Sequence, residues 1–331
     1  MNRFYILCLF GVLLLFASLK AQQRSWYKGN THSHTINSDG DSTPDEVVRW
    51  YKEHGYQFLV LSDHNFLTEV EGLNSIFGAK EKFLLMRGEE VTDEFRDKPV
   101  HLNGLNIQEL VEPQHGDSLL ETIQNNINAI RKAGGVPHIN HPNFHWAITA
   151  EQLRVVQNDK LFEIYNGHPE VHNVGGGGSP GLEAIWDDIL SSGKMIYGIA
   201  VDDAHHFKGE FAPSRSNPGR GWIVVRAAEL SPLGLLEAME NGDFYASTGV
   251  TLSDYEVSET EVKISIAARS LFKYTTYFIG ENGRVLSQAN GTPIQYRWRG
   301  DEKYVRARVV DSMGAMAWTQ PIMVKSASTL E

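Results

Sequence analysis

The chain repeats one pattern of apolar and polar positions. Tyr56-Gln57-Phe58-Leu59-Val60-Leu61 is a mostly apolar run that closes on Ser62-Asp63-His64-Asn65. Similar runs cover 83–88, which close on Glu89-Glu90-Val91-Thr92, then 100–105 around His101, 136–142 and 161–167. Another covers 195–201 and closes on Asp202-Asp203-Ala204-His205-His206, and a last one covers 221–226. A short apolar run bounded by polar or turn residues predicts a buried strand. Helices are predicted between them over 43–54, 118–132, 181–192 and 231–241. Around the first, Thr43 suits a cap, Pro44 the first turn, Asp45 and Glu46 the positive end of the helix dipole, and Gly55 the stop. Strands alternating with helices predict a parallel α/β sheet closed into a barrel. Chemistry in such barrels sits at the C-terminal strand ends, where this chain concentrates its His, Asp and Glu.

From about residue 251 the texture changes to short alternating segments: 262–268, 274–279, 295–298, 304–310 and 317–322, with a hairpin turn at Glu281-Asn282-Gly283-Arg284. These predict a small antiparallel β-sandwich. The expected division is 1–21, a leader; 22–250, an α/β barrel; and 251–331, the sandwich. Gly175-Gly176-Gly177-Gly178 is a low-complexity loop between barrel elements. The segment 1–21 carries Arg3, an apolar stretch from Phe4 to Phe16, and small residues before Gln22. It reads as a secretory signal peptide, short for a membrane-spanning helix. The expectation is an exported protein, periplasmic or extracellular, without a stable membrane anchor after cleavage.

Composition narrows the chemistry. The formal charge of the 331 residues is −11, which disfavours a surface that wraps nucleic acid. The single cysteine, Cys8, falls in the leader, so disulfides and thiol chemistry are excluded after cleavage. Metal sites must then use His, Asp and Glu. No phosphate-loop glycine motif, dinucleotide fingerprint or Ser-His-Asp hydrolase signature is present.

The candidate ligands follow in order. Trp26-Tyr27-Lys28-Gly29-Asn30 begins a strand that leads to His32 and His34, whose i, i+2 spacing sends both rings to one side. Then come Asp39, His64, Glu89, His101, His138 or His141, Asp203 and His205. Spacing to His205 favours Asp203 over Asp202, and Asp63 reads as a support for its neighbour His64. In Pro137-His138-Ile139-Asn140-His141-Pro142, the two histidines compete for one ligand place.

The ordered set resembles the polymerase and histidinol phosphatase (PHP) metallohydrolases over about 28–249. The carrying motifs are His32-Ser33-His34 with Ser38-Asp39-Gly40, Ser62-Asp63-His64-Asn65, Gly88-Glu89, His101, His141-Pro142 and Asp203-Ala204-His205. The segment from Gly242 to Gly249 and the exported architecture are most similar to the branch that includes carbaryl-hydrolase-like proteins. The resemblance implies a distorted (β/α)7 barrel with a trinuclear site, and nitrogen and oxygen ligands without sulfur suit two to three divalent ions of Zn, Mn or Fe. By the same resemblance, His32, His34, Glu89 and Asp203 hold one ion. Glu89, bridging, holds a second with His101 and His141; Asp39, His64 and His205 hold a third. The match to His-Pro favours His141 over His138.

The expected function is a metal-dependent phosphoesterase that uses a metal-bridging hydroxide on phosphomonoesters or phosphodiesters. The substrate would be a small-molecule or glycan-linked ester. A carboxylic or carbamate ester hydrolase with the same site is the alternative, and a glycan- or polymer-binding protein with an inert barrel is a third reading. His206 is a candidate general acid. Arg220, with Arg215, is a candidate phosphate contact at the rim. Asn166, His168 and His172 edge the glycine loop, His115 and His145 carry no motif and read as surface residues, and Trp146 is a candidate stacking surface.

Overall fold

The computed structural model describes residues 24–80 and 82–324; the leader expected over 1–21 lies outside them. The protein is a mixed α/β structure. In chain order the first half runs β1 (Ser25–Asn30), α1 (Pro44–Glu53), β2 (Phe58–Val60), α2 (Glu71–Phe77), β3 (Leu84–Met86), β4 (Gly88–Phe95), β5 (Lys98–Leu105), α3 (Leu119–Lys132), β6 (Val136–Ile139), α4 (Ala150–Val155), β7 (Leu161–Asn166), α5 (Leu182–Ser191) and β8 (Tyr197–Val201). Next come β9 (Trp222–Ala227), α6 (Pro232–Glu240), β10 (Phe244–Ser247), β11 (Leu252–Val257), β12 (Glu261–Ile266), β13 (Tyr274–Gly280), β14 (Arg284–Asn290), β15 (Ile294–Arg297), β16 (Tyr304–Asp311), β17 (Met316–Thr319) and β18 (Ile322–Met323).

Local chemistry sets the helix ends. Ser118 accepts the Glu121 amide at the start of α3, and the Ser231 hydroxyl accepts from Gly234 at the start of α6. Glu46 reaches back to the Thr43 amide before α1. Each interaction satisfies a backbone donor that the first helical turn leaves open. The short helices α2 and α4 carry too little periodicity to stand out in the sequence.

One sheet has the order β4-β5-β6-β7-β8 and another contains β9-β1-β2-β3. The strands β1, β2 and β3 are parallel, as are β6, β7 and β8. The pairs β4–β5 and β5–β6 are antiparallel, which departs from an all-parallel expectation. Just beyond the C-terminal ends of β1, β2 and β8, backbone hydrogen bonds join the two sheets. His34 donates to Ala204, Asp203 to His32, Asn65 to Glu90, and Glu90 to Asp63. These bonds gather the polar strand ends into one place. Beneath them lies an apolar core that includes Phe58, Val60, Leu102, Ile139, Phe162, Ile164, Ile199 and Ile223.

The C-terminal segment is joined to this body through backbone. Strand β17 pairs with β10, and β10 with β9, so the large sheet runs on without a break into β16, β13 and β14. A separate sheet, β11-β12-β15, shares with it an apolar cluster containing Tyr245, Leu252, Val262, Ile264, Phe278, Tyr296 and Val309. Arg306, 1% exposed, forms two hydrogen bonds to Asp187 of α5 at 2.8 and 2.7 Å. It also reaches Glu183 at 3.1 Å and covers the ring of Trp186. Among the described residues no helix is long and apolar enough to cross a membrane.

Candidate metal centre

The site is built around the carboxylate of Glu90. It is buried, and histidine nitrogens surround it. Its Oε1 lies 3.0 Å from His101 Nδ1 and 3.3 Å from His141 Nε2. Its Oε2 lies 3.1 Å from His32 Nε2, 3.2 Å from His34 Nε2 and 3.2 Å from His64 Nδ1. The Asn140 side-chain amide donates to Oε1 at 2.8 Å. Asp203 faces the same rings, with Oδ1 3.2 Å from both His32 Nε2 and His34 Nε2. Asp39 completes the outer end, 3.3 Å from His205 Nε2 and 3.6 Å from His64 Nε2.

Four groupings converge closely enough to hold a cation: His34, Asp39, His64 and His205; His32, Glu90 and His141; His32, His34 and Asp203; and His64, Glu90 and His101. His32, His34, Asp39, His64, His101, His141, Asp203 and His205 are thus gathered in one cluster. Glu89 is not among them. Its Oε2 instead accepts the Val111 amide at 3.0 Å, and its Oε1 is buried without a hydrogen bond. The reason is strand parity. The apolar run stops at Met86 and a new strand begins at Gly88, so successive side chains of β4 alternate between faces. Glu90 and Thr92 share the face toward His64: Thr92 bonds the His64 ring, while Glu89 faces Val111. Glu90 takes the place expected of Glu89.

The competition in 136–142 also resolves. His141 follows the end of β6 and enters the cluster, while His138 lies within β6, with both ring nitrogens buried and without hydrogen bonds. Burial lowers its pKa to about 4, despite Glu163, which leaves a neutral imidazole in the wall.

Several supporting residues carry no sequence motif. Glu163, inside the apolar run of β7, accepts from His32 Nδ1 at 2.7 Å and from the His141 amide at 2.8 Å. The Asn166 amide donates to both Glu163 and Asp203. A buried acid interrupting an apolar strand was the available signal. Asp63 accepts from the Thr35 amide at 2.7 Å and from the hydroxyls of Ser38 and Thr68 at 2.9 and 2.6 Å, which fixes the loop bearing Asp39. Asp202 accepts from Tyr51 and from the amides of Arg220 and Gly221. His168 lies beside His205, ring centroids 5.4 Å apart. Trp146 stacks on His172.

Arg220 is committed elsewhere. Its guanidinium donates to the carbonyls of Gly167 and Ala212 at 2.8 and 2.6 Å, so it buttresses the loop and offers no free cation. Arg215 donates to the Lys208 carbonyl and to Asp41. His206 uses Nδ1 to accept the Ser216 amide at 3.3 Å.

Within the cluster the histidines and carboxylates shift one another's proton affinities. Burial opposes charge on both sides, yet each side offsets the other. His64, His32 and His101 hold Glu90 well below the ordinary carboxylate range, and His32 with its neighbours does the same for Asp203. Burial would lower His64, but Glu90 and Asp39 outweigh it and raise it to about 9. His32 is raised well above its ordinary value, against burial, by Asp203, Glu90 and Glu163. The donor set fits divalent cations. His34 Nε2 and His101 Nδ1 are buried, lie within 3.2 Å of carboxylate oxygens, and form no hydrogen bond with them. Imidazole and carboxylate ligands without sulfur suit divalent metal ions.

No family model matches the chain, and no curated protein matches it. Among solved structures, it is similar to a two-domain protein from Bacteroides vulgatus containing a predicted PHP-like metal-dependent phosphoesterase. That likeness has a TM-score of 0.51 at 16% identity and covers 90% of this chain and 96% of the other. An amidohydrolase from Chromobacterium violaceum with bound sulfate and no metal matches at TM-score 0.38 and 16% identity, covering 57% of this chain and 93% of its own. A lesion-specific endonuclease from Pyrococcus furiosus matches at TM-score 0.39 and 13% identity, covering 66% and 56%. The chain shares the fold of the Bacteroides PHP-like protein.

Proposed function

We propose that this protein is an exported metal-dependent hydrolase of phosphoesters. In this reading the strand ends form a distorted seven-stranded barrel (β1, β2, β4, β5, β6, β7 and β8) joined to a β-sandwich, and two to three divalent ions occupy the centre. The observation that carries it is the shared position of Glu90 among five imidazoles. His32, His34, Glu90 and Asp203 would hold one ion; Glu90, His101 and His141 a second; Asp39, His64 and His205 a third. Divalent ions held by these residues would supply a nucleophilic oxygen at neutral pH and charge stabilisation for an anionic transition state.

The protein's own residues set the frame. Glu163 fixes the His32 ring through Nδ1 and leaves Nε2 directed at the carboxylates. Outer partners of this kind set ring orientation and ligand basicity. Asn140 and Asn103 bond each other, and Asn140 also bonds Glu90, which orients that carboxylate.

The commitment of Arg220 and Arg215 to carbonyls and Asp41 favours a second reading for the same site, hydrolysis of a carboxylic or carbamate ester. Such a substrate needs no guanidinium clamp. The test pairs metal analysis of protein lacking residues 1–21 with hydrolysis of p-nitrophenyl phosphate, a bis-p-nitrophenyl diester and p-nitrophenyl acetate. Bound metal with phosphoester turnover, lost in His32→Ala, supports the first reading; metal with acetate turnover alone supports the second. Metal-free, inactive protein that cannot be reconstituted overturns both.

A further inference from the structure

A cleft of about 550 Å³ adjoins the metal centre and shares His101 with it. Its other lining residues are Thr92, Asp93, Glu94, Asp97, Pro99, His115, Phe144 and His145. The volume lies within the range of small-molecule sites. One part of its wall is a built dyad. His115 Nδ1 donates to Asp93 Oδ1 at 2.6 Å, and the His115 amide donates to Asp93 Oδ2 at 2.9 Å. Asp93 is itself buried, 5% exposed, and is held by the Asn126 side-chain amide at 2.8 Å and by the Glu94 amide at 2.7 Å. The His115 side chain is 73% exposed, and its backbone is left-handed, with φ 52°. His145 and Trp146 on the facing loop are also left-handed, with φ 49° and 55°.

The dyad has a chemical consequence. A carboxylate that takes the Nδ1 proton fixes the tautomer and leaves Nε2 of the neutral ring as an acceptor. Glu94 and Asp97 are also acceptors, and neither lysine nor arginine lines the cleft. Phe144 and Pro99 add apolar surface. A wall of acceptors with an aromatic face suits a ligand that donates hydrogen bonds and has a flat apolar side. It repels an anion.

We propose that this cleft receives the alcohol portion of the ester, that this portion is a polyhydroxylated, sugar-like ring, and that His115 is a specificity-determining residue accepting one of its hydroxyls through Nε2. The proposal rests on the hydrolase reading above for the position of the scissile bond. It gives the substrate a neutral leaving group, with its charge confined to the end at the metals.

The experiment uses the metal-loaded protein and two phosphates of equal ring size, a hexose 1-phosphate and cyclohexyl phosphate, which lacks the hydroxyls. Turnover and calorimetric binding are both measured. A hexose preference of about tenfold or more is expected, since several hydroxyls each add a net hydrogen bond. His115→Ala should reduce that preference several-fold, mainly through KM and the binding constant, with metal content unchanged. His115→Asn, which tolerates the left-handed backbone and keeps an acceptor, should recover part of it. It also serves if the alanine variant fails to fold. A structural role alone would lower both phosphates equally and overturn the proposal, as would equal binding of the two by the unaltered protein. Hexose-selective binding without turnover supports the cleft and sinks the hydrolase reading; turnover without selectivity does the reverse.

Discussion

The exchange of Glu89 for Glu90 offers the sharpest test, because adjacent isosteric substitutions should behave oppositely. In Glu90→Gln the side chain keeps its shape but has only one carbonyl oxygen. One side of the group faces His101, His141 and Asn140; the other faces His32, His34 and His64. Whichever way the amide turns, an NH2 replaces an acceptor on one side, and the bridging charge is lost. Substitutions that only support metal ligands typically cost about 10–100-fold in metal affinity. Loss of the shared carboxylate should therefore cost at least about 100-fold, which is about 2.7 kcal/mol. Neutral imidazoles are tolerated inside proteins, so the variant should fold. Glu89→Gln keeps an acceptor for the Val111 amide and removes no group from the centre. The assay is metal stoichiometry after dialysis, followed by competition with a chromophoric chelator. Wild-type affinity in Glu90→Gln, or metal loss in Glu89→Gln, would refute the placement of these residues.

Four further outcomes are expected. Burial raises the Glu89 pKa to about 7, against the Val111 amide, so the folded state favours its protonated form. The resulting penalty is absent below about pH 4.5 and complete above about pH 7, reaching about 3 kcal/mol; metal-free Glu89→Gln should match the parent in urea unfolding near pH 4.5 and exceed it at pH 8, and equal stability at both would contradict this. Glu163→Gln should weaken metal binding by about 10–100-fold by loosening His32, measured by the same chelator competition, with an unchanged affinity as the contrary result. Arg306→Met should destabilise by about 3–5 kcal/mol because buried Asp187 loses its partner; adding Asp187→Asn should restore much of this in urea unfolding, and a loss below 1 kcal/mol in the single variant would contradict the ion-pair argument. Arg220→Lys should lower thermal stability more than it changes KM for p-nitrophenyl phosphate, because the guanidinium bonds carbonyls; a large KM effect at unchanged stability would return Arg220 to the substrate.

Much of this protein was legible in its sequence, and the legible part has one physical cause. Buried strands must be apolar along their length and can carry polar groups only where they emerge. The apolar runs therefore marked β2, β6, β7 and β8, and their polar ends marked His64, His141, Asp203 and His205. The i, i+2 spacing of His32 and His34 needed no tertiary information either. Capping chemistry placed α1 to within a residue, and the predicted spans of α3 and α6 fall within a residue of those observed.

What the tertiary structure decided depends on facing and pairing, which local pattern does not encode. Glu89 and Glu90 are chemically identical neighbours, and only the start of β4 at Gly88 and its pairing to β5 decide which points at the histidines. Glu163 holds the His32 ring because β7 lies beside β6 and faces His32, a relation across 131 residues. Arg220 is a rim cation in sequence and a loop strut in space, since its donors meet carbonyls first. The C-terminal strands look independent in sequence, yet β17 pairs with β10 and Arg306 neutralises Asp187. A residue's type and period follow from its own segment, whereas its partner is set by long-range register, and at this site the partner determines the chemistry.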